Sequence, residues 1–312
     1  MTLISIILVH YSDIQMTWEC VESLLSSDYE GFNILIVDNS RDVLDSNYFF
    51  KICRSHGFQT EALENISKVL DFKKNIYWYS SNENLGYAGG MNLGARIIQK
   101  SKPDFLMLLN NDTLVSEWFL GDLMTGIETV ASSQDFGFSG CLIRNWSDKE
   151  IWYAGGEINL ERCMGEHYTD LPFHGCTVET GFITGCCMIC RPDVYKELQG
   201  MDESFFLYME DVDLCYRAKQ KGYKLYFVPQ VELYHRVGSS TGGDEKSLSV
   251  YYSARNRILL MRKHFSGVCL YRFFLFFFLS RLVKTIKWLI LGKPWLVASL
   301  WKGMSEGYRK KV

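Results

Sequence analysis

Residues 3–9 (LISIILV) and 33–37 (NILIV) are short, β-branched apolar runs that stop abruptly at polar positions. Continuous apolar runs of this length predict buried parallel strands. Between them, residues 16–26 carry apolar positions at helical spacing. Residues 76–79 and 105–109 (FLMLL) predict two further strands, with a helix over 88–100 that must end before Pro103. Strands alternating with helices predict an α/β layered domain around a mainly parallel sheet. Ligands of such sheets bind at the carboxyl ends of the strands. Here those ends read His10-Tyr11-Ser12, Asp38-Asn39-Ser40, residues 80–84, and Asn110-Asn111-Asp112. The repetition carries more weight than any one of them.

The second half is less regular. Glycines at 137–140, 155–156 and 181–185 mark turns, and residues 209–221 predict a helix closed by Gly222. Residues 223–228 predict a strand ended by Pro229. Residues 238–244 (GSSTGGD) read as a flexible loop, and a long helical region starts near Leu248. No internal repeat or low-complexity linker divides the chain.

Size and charge then narrow the class. A 312-residue chain with 47% hydrophobic and 22% charged residues is globular, with room for one large domain and an appendage or for two small domains. The net charge of −3 conceals an asymmetry: residues 255–312 hold 13 Lys/Arg against Glu306 alone, so this segment is +12 and the remainder −15. A basic, aromatic tail on an acidic body suggests an anionic surface as partner. Ten cysteines without zinc spacing read as reduced, buried small hydrophobes of a cytosolic chain. The apolar start lacks a basic flank and a cleavage site and is too short to span a bilayer, so no signal peptide is expected.

Four constellations carry candidate chemistry. Glu210, Asp211 and Asp213 follow directly on Phe205, Phe206 and Tyr208, with Arg217 four residues after the last acid. They read either as a general base at the edge of an apolar pocket or as acids at a helix start. Asn110-Asn111-Asp112-Thr113 suits a hard divalent cation that also binds phosphate oxygens, or is a turn closing a strand. Residues 82–94 form a Gly/Asn loop entering a helix, as a phosphate or ribose cradle does; a plain turn is the alternative. The loop is neither GxGxxG nor GK[ST], which disfavours dehydrogenases and P-loop kinases. His235 is either structural or a ligand beside a closing loop.

Taken in order, these elements resemble the inverting glycosyltransferases of family 2, with their nucleotide-sugar-binding GT-A fold. The resemblance spans most of residues 3–265: His10-Tyr11, Val37-Asp38-Asn39-Ser40, and Asn82-x-Asn84-x-Gly86-Tyr87-Ala88-Gly89-Gly90-x-Asn92. It continues through Leu108-Leu109-Asn110-Asn111-Asp112, Gly181-x-x-x-Gly185, Met201-Asp202-Glu203-x-Phe205-Phe206, Glu210-Asp211-x-Asp213-Leu214-x-x-Arg217, His235 and Tyr251-Tyr252-x-x-Arg255-Asn256. The branch it looks most like is the bacterial rhamnosyltransferase-like enzymes of surface polysaccharide synthesis.

The resemblance implies a single mixed, mainly parallel sheet flanked by helices, with a C-terminal helical extension. It implies a catalytic domain over 1–250, divided into a nucleotide-binding half (1–115) and an acceptor half (116–250), then a tail over 251–312. Asp38, with the backbone around His10 and Tyr11, would hold the nucleoside. Asn84, Gly90, Asn92 and Asn111 would line the ribose and diphosphate side. Asp112 and His235 would bind Mg²⁺ or Mn²⁺, Asp211 would be the general base, and Glu210 would help position the acceptor. Asp213 fits a structural pairing with Arg217.

The implied donor is dTDP-rhamnose or a UDP-sugar, and the acceptor a glycan or polyprenyl-linked hydroxyl; no nucleic acid is expected. Inverting transfer is one in-line displacement, needing a base and a cation but no covalent nucleophile. Rival readings are a nucleotidyltransferase, or an inactive nucleotide-sugar- or carbohydrate-binding protein.

The tail completes the picture. Residues 273–279 (FFLFFFL) are intensely apolar, yet Arg272, Arg281, Lys284 and Lys287 interrupt the region as no transmembrane helix tolerates. The four cations fall within about half the circumference of a helix. This predicts an amphipathic helix in the interface at the inner face of the cytoplasmic membrane, with Trp288, Trp295 and Trp301 at headgroup depth. The alternative is packing on the body or on a second copy in a homodimer.

Overall fold

Apolar runs too short to be helices and apolar on both faces need cover on both sides, and the first half of the chain supplies it. It folds as β1 (Ile4–His10), α1 (Ile14–Leu25), β2 (Phe32–Asp38), α2 (Val43–Ser55), β3 (Thr60–Ala62), β4 (Asn75–Ser80), α3 (Gly86–Ile98) and β5 (Phe105–Leu109). The strands lie in the order β3-β4-β2-β1-β5, every pair parallel. This is a computed structural model, and it describes residues 1–65, 67–171, 175–236 and 246–311. The expected loop over 238–244 lies outside the described residues.

The second half extends the same sheet. It contributes β6 (Thr113–Val115), α4 (Phe119–Ala131), β7 (Phe136–Asn145), β8 (Ile151–Tyr153), β9 (Gly156–Asn159), β10 (Met164–His167), β11 (Val178–Thr180), β12 (Cys187–Cys190), α5 (Pro192–Glu197), α6 (Glu210–Gln220) and β13 (Lys224–His235). Strand β12 inserts antiparallel between β5 and β7, β13 lies parallel to β7, and β11 closes the edge. Strand β6 pairs with β13 and β8 with β7, giving an 11-stranded sheet, while β9 and β10 form a separate hairpin. The expected α/β architecture, a mixed and mainly parallel sheet flanked by helices, is what the chain adopts. Both halves share one sheet and one apolar core.

One strand is longer than expected. The pattern places its end at Pro229, yet β13 runs on to His235. A register shift between Val228 and Glu232 takes the proline out of the ladder, where its missing N–H costs nothing.

Three helices follow: α7 (Ser247–His264), α8 (Gly267–Ile290) and α9 (Pro294–Arg309). Helix α9 lies directly on α7, because Gly303 and Gly307 leave no Cβ to strike the carbonyls of Tyr251 and Arg255. The boundary expected at residue 250 falls inside α7, whose Arg255 and Asn256 are bonded into the body.

Helix α8 is oriented differently from the expectation. It buries Phe273, Phe277 and Trp288 but exposes Val268, Leu275, Leu279, Val283, Ile286 and Ile290. Arg281 turns inward to lie over the Phe277 ring, so the four cations do not form one solvent-facing surface. Among the described residues, no helix is long and apolar enough to cross a membrane.

Candidate active site

The parallel register aligns the strand ends. His10, Asp38 and Ser80 stand side by side at the carboxyl edge of β1, β2 and β4. Asp38 Oδ1 accepts from the Ser40 amide (2.8 Å) and hydroxyl (2.6 Å), and Oδ2 accepts from Ser80 Oγ (3.1 Å). Asn39 donates to the Gly86 carbonyl (2.8 Å), tying the start of α3 to this edge. Gly86 has φ +69°, and a Cβ there would overlap Phe206, so only glycine fits without strain.

Several expected binding residues occupy packing positions. His10 is fully buried, between Thr17 Oγ1 (2.8 Å) and Asp45 Oδ2 (3.0 Å). Thr17 also accepts from Asn111 Nδ2 (2.7 Å), so one polar chain runs from α2 to the segment after β5. Asn92 spends its amide on Met201 O (2.8 Å), Met201 N (3.0 Å), Glu203 (3.0 Å) and Tyr195 (2.7 Å). Gly90 lets α3 approach Val9 closely. Tyr11 and Asn84 remain on the exposed rim, where Asn84 accepts from the Gly86 amide (2.9 Å).

Distant in sequence, Asp112 and His235 are brought together by the antiparallel pairing of β6 with β13, which sets Thr113 opposite His235. Asp112 Oδ1 lies 3.1 Å from His235 Nε2, and both residues are buried. Trp152 holds the imidazole edge-on with ring centroids 4.9 Å apart. Two ligands of a small divalent cation in adjacent octahedral positions, each at about 2.1 Å, stand about 3 Å apart. The pair therefore fits such a cation. Among the described residues no cluster of three or more His, Cys, Asp or Glu that could hold a metal ion is present.

Asp211 and Glu210 open α6. Asp211 Oδ2 accepts from the Gly185 amide (2.9 Å) and Oδ1 from the Val212 amide (2.8 Å). Tyr87 donates to the Gly185 carbonyl (2.6 Å), and the next carbonyl, of Cys186, accepts from the Asn110 amide (2.9 Å). Asp211 is thus linked through Gly185 and Cys186 to the segment that carries Asp112. Burial raises the Asp211 carboxyl above its ordinary value, despite the amides that favour its charge. Glu210 is raised further, by burial and then by the charge of Asp211, and its Oε2 has no hydrogen-bond partner among the described residues. A carboxyl raised this way is a better proton acceptor at neutral pH.

The chain entering α6 is strained. Phe206, Tyr208 and Met209 have φ of +65°, +67° and +73°, in the left-handed region that costs about 1 kcal/mol or more for a bulky residue. Asn256 of α7 holds it there, with Nδ2 donating to the carbonyls of Phe205 (2.8 Å), Leu207 (2.7 Å) and Tyr208 (2.8 Å). Arg255 adds bonds to Phe205 O (3.4 Å) and Ser204 O (2.9 Å), and Phe206 stacks on Tyr252 at 5.2 Å.

Asp213 lies on the other side of α6, fully buried. It meets Arg217 (2.6 Å), Lys263 (2.9 Å) and His264 (2.7 Å). These partners outweigh burial and depress its carboxyl to about 2. A cleft of about 720 Å³ opens on this side, lined by Asp202, Arg217, Lys263 and His264, but it contains none of Asp112, Asp211 and His235. Its charges are already paired, Lys263 with Asp202 (2.7 Å), and Arg217, Lys263 and His264 with Asp213.

The segment containing Arg255 and Asn256 stood out in the sequence, but its role as a clamp did not. Tyr87 and Gly185 were likewise visible only as members of a motif. Trp152 had no signal at all, because a lone tryptophan before a glycine turn announces nothing.

Comparisons with known proteins bear on the family and the fold. The family model described as "Glycosyltransferase like family 2" matches residues 4–258. The rhamnosyltransferase WbbL of Escherichia coli K12 is 26% identical over 223 residues, covering 68% of this chain and 75% of the relative. The N-acetylglucosaminyl-diphospho-decaprenol L-rhamnosyltransferase of Mycobacterium tuberculosis is 34% identical over 213 residues, covering 61% of this chain and 68% of the relative. Among solved structures, GalNAc-T7 with UDP, GalNAc and Mn²⁺ superposes with a TM-score of 0.59 at 16% identity. That match covers 84% of this chain and 48% of the other, so this chain spans about half its length. The mannosyltransferase PcManGT of Pyrobaculum calidifontis, in complex with GDP-Man and Mn²⁺, gives 0.56 at 12% identity, covering 99% and 76%.

Proposed function

The chain belongs to the glycosyltransferase family 2-like family, and from that premise we propose that it transfers a sugar with inversion from a nucleotide-diphosphate donor to a hydroxyl of a lipid-linked glycan. The donor we favour is dTDP-rhamnose, with a UDP-sugar as the second choice, because both named relatives are rhamnosyltransferases. The diphospho-decaprenol in one relative's name supports a lipid-linked acceptor. The solved neighbours bind Mn²⁺ with a nucleotide or nucleotide sugar, which supports a divalent cation here. On this reading the enzyme would work at a membrane surface, the inner face of the cytoplasmic membrane being the one we favour.

The observation that carries the reading is Asp211, a carboxyl raised by burial and fixed by the Gly185 amide, beside the segment that carries Asp112. Asp211 takes the proton of the acceptor hydroxyl as it attacks the anomeric carbon. Glu210, its neighbour, orients that hydroxyl. Asp112 and His235 would hold the cation, which supplies charge stabilisation for the departing diphosphate. Asp38 and the rim around Tyr11 and Asn84 receive the nucleoside and ribose.

The test is a panel of dTDP-, UDP- and GDP-sugars with a polyprenyl-diphosphate-linked acceptor, with and without Mn²⁺, scored by nucleoside diphosphate release. Acceptor-dependent release, lost on chelation, is expected. Pyrophosphate release, or no turnover with any donor, would overturn the reading.

A further inference from the structure

Strand β6 has three residues and, among the described residues, one strand neighbour, β13. Pairing that short fixes little of the segment carrying Asp112. Helix α1 supplies the rest. Its Thr17, Cys20 and Ser23 stand three residues apart and so share one face. Thr17 Oγ1 accepts from Asn111 Nδ2 (2.7 Å), and Ser23 Oγ accepts from the Val115 amide (3.3 Å). Between them Cys20 Sγ meets Thr113 Oγ1 (3.5 Å) and the Asn110 carbonyl (3.7 Å). Glu19 of the same helix pairs with Arg236, whose amide donates to the Asp112 carbonyl (2.9 Å). Both arms of the Asp112–His235 pair are therefore tied to α1.

Thr17 is the best defined of these contacts, because its hydrogen bonds have a direction. Thr17 and His10 are both fully buried, and the hydroxyl has one hydrogen to give. Its oxygen accepts from Asn111, and His10 Nδ1 stands 2.8 Å away. Donating to Nδ1 leaves no buried hydrogen idle and puts the imidazole proton on Nε2, 3.0 Å from Asp45 Oδ2. The donors then run one way, from Asn111 to Thr17 to His10 to Asp45, and end on a carboxylate that polarises the chain. A hydroxyl, an imidazole and a carboxylate in this order make up a nucleophilic triad. Here the hydroxyl is sealed from solvent, so its consequence is geometric. Turning the Asn111 side chain away would break a buried bond, and Asp112 is the next residue.

We propose that Thr17 is a positioning residue: with Cys20 one turn on, it holds residues 110–113 so that Asp112 meets His235. Asp45 acts at a distance, through His10, by setting the direction of the Thr17 hydroxyl. The role rests on the reading of Asp112 and His235 as the cation pair. It gives α1 and the start of α2 a part in cation binding that neither a metal ligand nor a nucleotide contact supplies.

Two measurements on the full chain separate this role from that reading. The first is the Mn²⁺ concentration at half-binding, followed by the EPR signal of the free ion. Thr17→Val removes the hydroxyl at nearly constant shape and should raise that midpoint about tenfold, as loss of an outer-shell partner does. Thr17→Ser keeps the hydroxyl and should restore it. Cys20→Ala and Asp45→Ala should move it the same way and less; Asp45, at the outer end of the chain, keeps the test usable if Thr17→Val does not fold. Partial unfolding would lower the amount of Mn²⁺ bound and leave the midpoint where it was. The second measurement is amide hydrogen exchange in the metal-free protein. Thr17→Val should speed exchange over residues 110–115 and leave β4 unchanged. Unchanged exchange over 110–115, a midpoint unmoved where wild type binds Mn²⁺, or Thr17→Ser no better than Thr17→Val overturns the proposal. Wild type that binds no Mn²⁺, with exchange still set by Thr17, overturns the cation reading and leaves the hold on residues 110–113 standing.

Discussion

Helix α6 carries two aspartates two residues apart whose surroundings drive them in opposite directions. Asp211 looks toward Gly185 and the strand ends, accepts from two backbone amides among the described residues, and is raised by burial. Asp213 looks toward α7, meets Arg217, Lys263 and His264, and is depressed to about 2. One side is left short of counter-charge and is suited to accept a proton. The other is saturated with it and holds two helices together. An acidic run is therefore not one signal but two, and the partners across the packing interface decide which acid does what.

The difference can be broken from either side. The largest effect belongs to Asp211→Asn, which should lower turnover by about 10²- to 10⁴-fold while donor affinity, measured calorimetrically, stays within a few-fold of wild type. Asp213→Asn should do the reverse. Removing one member of a buried ion network costs about 3–5 kcal/mol, read as a fall in the urea midpoint, with turnover at low temperature close to wild type.

Asn256→Ala touches the hinge between the two sides. It frees three carbonyls that hold left-handed residues ahead of Asp211, and each lost bond is worth about 1 kcal/mol. We expect roughly tenfold lower kcat with little change in donor KM, a loss of positioning rather than of binding.

The smallest effect is one of pH. Groups raised on folding, Glu210 and Asp211, contribute stability that is present below their ordinary values of 4.5 and 3.8 and lost as pH rises through the raised ones. Asp213, depressed, contributes stability present above 3.8 and lost as pH falls through about 2. Glu210→Gln removes the first dependence. Its Tm relative to wild type should therefore climb from pH 5 to pH 8, and a flat difference would count against a buried, charge-starved Glu210.

Much of this was legible in the sequence wherever the signal was local. The strand ends at Asp38 and Asp112 follow from apolar runs halted by polar residues, and the pairing of Asp213 with Arg217 from helical spacing. What escaped depends on contacts made far along the chain. Strand β6 is three residues long and is recognisable only through its pairing with β13, which is what brings Asp112 to His235. Strand β13 crosses Pro229 because a bulge absorbs it, a solution no propensity predicts. The tail misled most. Its cations suggested a charged outer surface, but packing on α7 and α9 turned Arg281 inward and left the aliphatic side chains outside. The same packing ties the tail to the body, since Gly303 and Gly307 seat α9 on α7, the helix that holds the segment entering α6.

The most direct test of the divided helix is to titrate its two carboxyls by NMR, with aspartate ¹³C-labelled at Cγ and the two signals assigned from the Asp211→Asn and Asp213→Asn variants. Between pH 3 and pH 8 the Asp211 signal should move through a transition above the ordinary aspartate value, while that of Asp213 stays at its charged position throughout. Two aspartates titrating together near the ordinary value would contradict the division, and with it the assignment of Asp211 as the base.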